Sequence, residues 1–318
     1  MQATSDLLLG VATGFAGAAL YALSVVVYRS QADEISPLAV SSIKMWVAWP
    51  FMLLMTIIFP GIAAAVLPLT TILLLGSSVM FGAVAGDTVY LWSQERIGVS
   101  YAFPIAMSFP ILTFFLTVTF LGEQFFLSKL AGAILAVVGV ILISKEQNRP
   151  QNGIESGENP RTAIDFLGIA GAILTMILYA SGTTILQVAI EGVNPIAGNL
   201  IRVSFGSVAF VPMIAVARLQ GMAWPTRRAT RFVIIAGFFG MAIGSLLYVT
   251  AVSLLGAAVM SVIASTAPLF AVPISVFYLK EKLTVVAVIG IALTLLGVFM
   301  VILGDAFFLW LLPILGLP

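Results

Sequence analysis

The sequence contains no cysteine and no histidine, and few of its residues are charged. Without cysteine there can be no disulfide, thiol chemistry or Cys-based metal site. Without histidine the commonest general base and the commonest metal ligand are also missing. Charged residues make up 8% of the chain, against roughly 25% in soluble domains. The net charge is only +1, so the chain lacks the excess of basic residues that nucleic-acid binding requires. We therefore expect no catalytic residue, no metal, no cofactor and no nucleic-acid partner.

Apolar residues form 61% of the 318-residue chain, and its mean hydropathy is +1.16. A folded soluble surface has to be wetted and cannot absorb that much hydrocarbon. The apolar runs are continuous rather than alternating, so they predict helices and not a barrel. Each run can cross the ~30 Å hydrocarbon core of a bilayer. The ten predicted spans, numbered 1 to 10, cover residues 7–28, 36–59, 67–93, 99–121, 127–144, 165–188, 194–217, 230–254, 257–279 and 284–304.

The one long polar stretch divides the chain nearly in half. It is rich in Pro, Gly and mixed charge, which is typical of a linker. The apolar stretch after residue 304 is too short to span, so we expect it at the membrane interface. The start, MQATSD, has no basic n-region, so we expect span 1 itself to begin insertion. The predicted organisation is 1–144 as the first five-helix repeat, 145–164 as linker, 165–304 as the second repeat and 305–318 as tail.

The two halves repeat at a constant offset of 158 residues without a gap. Each half has five spans, an odd number, so the second half must enter the bilayer from the opposite side. This inverted duplication is typical of secondary transporters, whose sites lie between the halves near the midplane. The matching pairs include Gly10 with Gly168, Pro37 with Pro195, Lys44 with Arg202, Gly86 with Gly244, Tyr90 with Tyr248, Gly98 with Gly256, Pro110 with Pro268, Gly132 with Gly290 and Gly139 with Gly297.

Two stretches carry a family resemblance. Ser265-Thr266-Ala267-Pro268-Leu269-Phe270 is followed by Tyr278-Leu279-Lys280-Glu281, and the first half has Phe109-Pro110-Ile111-Leu112 followed by Phe120-Leu121-Gly122-Glu123. On these motifs the chain resembles the EamA family of the drug/metabolite transporter superfamily over essentially its whole length. Arg202 matches an arginine common in that family, whereas Lys44 departs from it. The resemblance implies ten helices and movement of small metabolites across a membrane, and it leaves the substrate open.

Three charged residues lie well inside predicted spans, away from their ends: Lys44, Asp87 and Arg202. Such charges usually face a cavity or a partner. Lys44 and Asp87 lie at similar depths from the same face, so they form an ion pair or take part in proton coupling. The counterpart of Asp87 is Ser245, so Arg202 has no obvious acid and suits an anionic substrate group. The alternative is that both basic side chains extend to the headgroups.

Pro110 and Pro268 lie in the middle of predicted spans 4 and 9, and they predict that these two helices are interrupted. A helix-interior proline frees a carbonyl that must then face protein, water or ligand. The interruptions predict a polar midplane site, although a neighbouring hydroxyl can also satisfy a simple kink. Equivalent tyrosines in spans 1 and 6 and in spans 3 and 8 are expected to line the same cavity. The full set of predicted substrate-binding residues is Tyr21, Asp87, Tyr90, Ser108, Pro110, Tyr179, Arg202, Tyr248, Ser265, Thr266 and Pro268.

These features favour a secondary transporter that exports amino acids or organic acids by alternating access, with protons as the candidate coupling ion. An exporter of drugs or hydrophobic cations is the alternative, because Asp87 would suit a cation. An intramembrane enzyme would need clustered acid, base or metal residues, and a non-transporting scaffold would not need the inverted repeat. We expect a monomer or homodimer in the cytoplasmic (inner) membrane of a prokaryote.

The orientation of the chain is predicted differently by two arguments. Of the 14 Lys and Arg residues, Lys44 and Arg202 lie well within spans, and Lys129 lies at the start of span 5 on the opposite face. The other eleven lie in the loops that follow odd-numbered spans or next to those loops. We call the membrane side where odd-numbered spans end the basic face. Basic loops stay cytoplasmic, which places both termini outside the cytoplasm, whereas the family resemblance implies both termini inside.

Overall fold

A computed structural model describes residues 2–31, 33–147, 165–270 and 284–304, and the secondary structure in these ranges is helical. Most of the predicted linker, the end of predicted span 9 with Glu281, and the predicted tail lie outside them. The helices are α1 Gln2–Arg29, α2 Pro37–Ile58, α3 Leu69–Val79, α4 Asp87–Ile97, α5 Val99–Ala106, α6 Phe109–Leu121, α7 Leu127–Gln147, α8 Phe166–Ile190, α9 Pro195–Leu219, α10 Arg227–Gly237, α11 Gly244–Ser265 and α12 Val285–Leu303, with a 3₁₀ turn at Ile62–Ala65.

Nine helical stretches in the described ranges are long and apolar enough to cross a membrane. The longest, Arg227–Ser265, has 39 residues and would measure about 58 Å as one helix, nearly twice the hydrocarbon thickness. Gly256 divides it, with φ of 81° and ψ of 167°. Two spans therefore fit in this stretch, and the helices agree with the predicted ten-span, all-α membrane architecture.

The contact between α7 and α12 shows directly that the two halves are inverted. A Cβ added at Gly132 would lie 2.6 Å from the carbonyl oxygen of Gly297, and one at Gly139 would lie 2.5 Å from that of Gly290. Residue numbers rise along α7 as they fall along α12, so the two helices are antiparallel. Small residues allow this close backbone approach, which is how membrane helices pack in the absence of a hydrophobic driving force.

The contact between α2 and α9 is antiparallel in the same way. The indole N–H of Trp46 donates to the Ser207 carbonyl at 3.1 Å, and that of Trp49 donates to Ser204 Oγ at 3.0 Å. Both rings are 40% exposed, so each indole keeps a lipid-facing surface while its polar atom is satisfied inside the bundle.

Spans 3 and 8 are interrupted at equivalent positions by π-helical turns, at Met80–Gly86 and Phe238–Ile243. Spans 3 and 4, like spans 8 and 9, meet at a glycine with positive φ, 78° at Gly98 and 81° at Gly256. Side chains other than hydrogen strongly disfavour this conformation. The interruptions therefore follow the 158-residue repeat, and π turns often occur at functional sites.

Asp165 begins α8 at the basic face. Its Oδ1 accepts from the backbone N–H groups of Leu167 and Gly168, and its Oδ2 lies 3.0 Å from Arg96 Nη1 at the end of α4. The backbone bond from Gly168, together with Arg96, lowers the pKa of this solvent-accessible carboxyl. Ser93 Oγ donates to the Gly168 carbonyl at 2.7 Å, so α4 and the first turn of α8 are joined by several polar contacts.

Candidate functional site

An ion pair and a tyrosine form one polar cluster inside the bundle. Lys44 Nζ on α2 lies 2.7 Å from Asp87 Oδ2, and the hydroxyl of Tyr179 on α8 donates to Asp87 Oδ1 at 2.8 Å. The two charged side chains are 10% and 17% exposed. Both carboxylate oxygens thus have a strong donor, which a charge at this depth requires.

Two neighbours hold the Tyr179 ring in place. A Cβ added at Gly86 would lie 2.7 Å from ring atom Cε1, so the ring packs directly on the glycine backbone. The ring of Phe109 contacts the other part of Tyr179 edge-on, with the centroids 5.8 Å apart. Gly86 ends the first π turn and Phe109 begins α6, so the two interrupted spans of the first half position this tyrosine.

Arg202 on α9 has a different environment, because its partners in the described part of the chain are neutral. Nε donates to Ser78 Oγ at 3.0 Å, and Nη1 donates to Asn199 Oδ1 at 3.4 Å. Asn199 Nδ2 donates in turn to Ser245 Oγ at 2.8 Å. Arg202 is 7% exposed, so among the described residues its positive charge is buried against neutral groups.

The two basic residues are equivalent in the repeat and lie in opposite halves of the bilayer. Each comes seven residues after the first residue of its helix, Pro37 or Pro195, which is about 10 Å along the helix axis. Because α2 begins at the basic face and α9 begins at the opposite face, Lys44 and Arg202 lie on either side of the midplane. Both are buried, so neither extends to the headgroups.

The tyrosines predicted to line a cavity occupy different environments. Tyr248 shares a 2.9 Å hydrogen bond with Thr183 of α8, while Tyr21 and Tyr90 lie near Tyr179. Tyr21 lies on the stripe of α1 whose glycines, Gly14 and Gly17, contact α11. It is 46% exposed.

Both predicted proline interruptions coincide with breaks in the helices. Helix α5 ends at Ala106 and α6 starts at Phe109, just before Pro110; α11 ends at Ser265, and Thr266 is a turn before Pro268. The nearby hydroxyls bond to helix carbonyls: Ser108 to Pro104, Ser265 to Val262 and Thr266 to Ile263. Their hydroxyl protons are therefore used locally, and what they offer a ligand is acceptor lone pairs.

Several residues of these networks are not predicted as site residues from the sequence. Ser78, Asn199, Thr183 and Phe109 each contact a residue that is predicted. Asn199 has a usable signal, because it is a polar amide within an apolar span, three residues before Arg202 and therefore on the same helix face. Ser78 and Thr183 have none, since hydroxyls are common in membrane helices.

Two inverted five-span repeats with buried charged residues between them define a multi-pass integral membrane protein of the transporter class. The model of the EamA-like transporter family matches residues 8–145 and 166–303. The chain belongs to this family and is therefore a membrane transporter of the drug/metabolite transporter type.

Individual relatives agree with this membership. An uncharacterized transporter of Archaeoglobus fulgidus is 25% identical over 302 residues, which are 93% of this chain and 99% of the relative. A protein of known crystal structure superposes with a TM-score of 0.74 and 14% identity, covering 94% of this chain and 97% of its own. The structural likeness concerns the fold alone.

Proposed function

We propose that this protein exports small metabolites that carry a carboxylate, such as amino acids or organic acids, by alternating access around a cavity between the repeats. The observation that carries the proposal is the buried charge of Arg202, which only neutral groups contact in the described part of the chain. A buried, uncompensated charge is costly. A guanidinium fork binds a carboxylate through two parallel hydrogen bonds, so a substrate carboxylate would balance this charge.

Comparison of the repeats supports a substrate carboxylate at this position. In the first half the chain itself supplies the anion, because Asp87 pairs with Lys44 at 2.7 Å. In the second half Ser245 stands at the position equivalent to Asp87, and it reaches Arg202 only through Asn199. The second half thus has a buried basic residue at the same position as the first half, but a serine in place of the partner aspartate.

The remaining predicted residues fit a cavity for a small polar molecule. Tyr21 is partly exposed, and the breaks before Pro110 and Pro268 would serve as pivots in spans 4 and 9. Ser108, Ser265 and Thr266 offer acceptors to a substrate ammonium or hydroxyl. Tyr90 and Tyr248, equivalent in the two repeats, would present the same aromatic surface to either side of the membrane.

Asp87 is the residue we propose for proton coupling. Its carboxylate is held by Lys44 and Tyr179, so protonation would release both partners. The same ion pair makes export of hydrophobic cations less suitable, because a carboxylate already neutralised by lysine attracts a cation weakly. We place this transport in the cytoplasmic membrane of a prokaryote.

The experiment that tests the proposal restores the missing carboxylate. Ser245→Asp should give Arg202 an internal partner, raise the Tm of the purified protein and abolish the thermal shift caused by carboxylate ligands in an amino-acid and organic-acid screen. Ser245→Asn is the matched control, with similar size and no charge, and should keep the ligand-induced shift. Uptake into inside-out vesicles would then report the direction. A Ser245→Asp protein that still responds fully to the same carboxylates would overturn the role of Arg202.

A further inference from the structure

Three arginines at the basic face form a cleft separate from the central site. Arg227, Arg228 and Arg231 line an open cleft of about 550 Å³ together with Phe232 and Ile235, and all five residues lie on α10. All five residues are exposed, and the three guanidinium groups have no acidic partner among the described residues. A cluster of three unbalanced positive charges this close together favours an anionic ligand.

The arrangement along α10 indicates which anion. The face of α10 that packs on the bundle carries the buried residues Ala229, Val233 and Ala236. The outward face is basic in its first turn and apolar beyond, where Phe232 and Ile235 are 43% and 59% exposed. Charge followed by hydrocarbon along a single face matches a phospholipid headgroup followed by its acyl chains.

The depth of the cleft agrees with this arrangement. The loop before α10 carries Trp224, which is 73% exposed and stacks on the Arg218 guanidinium at 4.1 Å. Exposed tryptophans of membrane proteins lie at the headgroup level. The first turn of α10 starts three residues after Trp224, so its arginines lie at that level too, while Phe232 and Ile235 point into the hydrocarbon.

We propose that Arg227, Arg228 and Arg231 form a binding site for the headgroup of an anionic phospholipid in the leaflet at the basic face. Two or three guanidinium groups bind the phosphate oxygens, and the acyl chains lie over Phe232 and Ile235. The lipid thereby contacts the beginning of span 8, which continues through the second π turn at Phe238–Ile243 to Ser245. Lipid binding at this cleft is independent of the identity of the transported substrate.

The test measures lipid binding to the purified full-length protein by native mass spectrometry and by thermal shift with added lipid. Phosphatidylglycerol should bind and raise the Tm, whereas phosphatidylcholine should not. Replacing all three arginines by glutamine should weaken phosphatidylglycerol binding by roughly fivefold for each arginine removed. Lys145→Gln removes one positive charge from the same face outside the cleft and should leave binding unchanged.

Two further arms distinguish a lipid site from a misfolded variant and from a site for free phosphate. Replacing the three arginines by lysine keeps the charge and should keep most of the preference for phosphatidylglycerol, which also checks that the helix tolerates substitution. Inorganic phosphate at millimolar concentration should not reproduce the rise in Tm, because it lacks the acyl chains. Equal phosphatidylglycerol binding by the wild type and the triple glutamine variant would overturn the proposal, as would an equal stabilisation by inorganic phosphate alone.

Discussion

Lys44 and Arg202, which are both buried, are balanced in different ways. Lys44 has a carboxylate at 2.7 Å, whereas Arg202 has a serine hydroxyl and a carboxamide. An arginine tolerates neutral partners better than a lysine does, because its charge is delocalised and more weakly hydrated. The lysine has the fixed ion pair, and the arginine is the residue for which we propose an exchangeable anion.

Asp87→Asn tests the ion pair at the residue scale. The substitution leaves Lys44 buried without a counter-charge, so we expect a loss of about 3–5 kcal/mol in unfolding free energy. It should also remove the pH dependence of transport in proteoliposomes. The double variant Lys44→Met with Asp87→Asn should recover most of the stability but not the pH dependence. Unchanged pH-dependent transport in the double variant would eliminate Asp87 as the coupling residue.

The sequence identifies these charged residues more readily than their hydrogen-bond partners. Lys44, Asp87 and Arg202 stand out because charges inside apolar spans are rare and expensive. Tyr179 and Ser78 are of residue types common in membrane helices, and only the folded geometry brings them to Asp87 and Arg202. Partner choice depends on helix rotation and crossing, which apolar periodicity does not determine.

At the scale of elements, the π turns in spans 3 and 8 are the least predictable part of the fold. The glycines Gly82 and Gly86 indicate close packing of a helix, but an extra residue in a turn leaves no mark on hydropathy. The first π turn ends at Gly86, so that Asp87 is the first residue of α4. The turn therefore helps to set the position of Asp87. By contrast, the helix starts at Asp165 and Asn194 carry ordinary N-cap residues, which sequence rules recognise.

Gly86→Ala tests how the π turn supports the cluster. A methyl group at Gly86 would meet the Tyr179 ring at 2.7 Å and the Phe81 carbonyl at 2.8 Å, so the ring should be displaced from Asp87. We expect a loss of about 1–3 kcal/mol in stability and altered pH dependence of transport. Gly82→Ala is the control in the same turn, because nothing lies within 4 Å of its added Cβ. Equal behaviour of the two variants would contradict this role of Gly86.

The Arg96–Asp165 pair predicts acid sensitivity of the α4–α8 contact. Because the pKa of Asp165 is lowered on folding, its stabilisation is present above the ordinary aspartate pKa and is lost as the pH falls through the lowered value. Asp165→Asn keeps an N-cap but lacks the charge. The Tm difference between wild type and variant should therefore be constant above about pH 5 and shrink as the pH falls below about pH 4. A difference that persists unchanged in acid would contradict the assignment.

At the scale of the whole molecule, the orientation follows from the basic loops. Eleven of the 14 basic residues follow odd-numbered spans, so we predict that the basic face is cytoplasmic and both termini are outside. A reporter fused after Pro318 checks this. We expect activity from a phosphatase that works only in the periplasm. Fluorescence from a protein that fluoresces only in the cytoplasm, fused at the same position, would contradict the predicted orientation.

Much of the architecture is predictable from the sequence, because each helix and each break occurs twice and the two copies can be compared. The positions of Gly98 and Gly256, matched at the 158-residue offset, correspond to left-handed turns in both halves. The predicted boundary between spans 8 and 9, at residues 255–256, likewise coincides with Gly256, whose conformation divides the long helical stretch Arg227–Ser265.

The contact between α7 and α12 has the form of an isologous interface. Gly132 meets Gly297, which is the repeat copy of Gly139, and Gly139 meets Gly290, the copy of Gly132. Two identical five-helix chains related by a twofold axis would make the same pair of contacts. The surface is thus self-complementary, which fits an origin of the chain by duplication of a five-helix unit that paired with its own copy. The two copies differ at this surface: Thr294, buried against Gly139, occupies the position that is Ala136 in the first half.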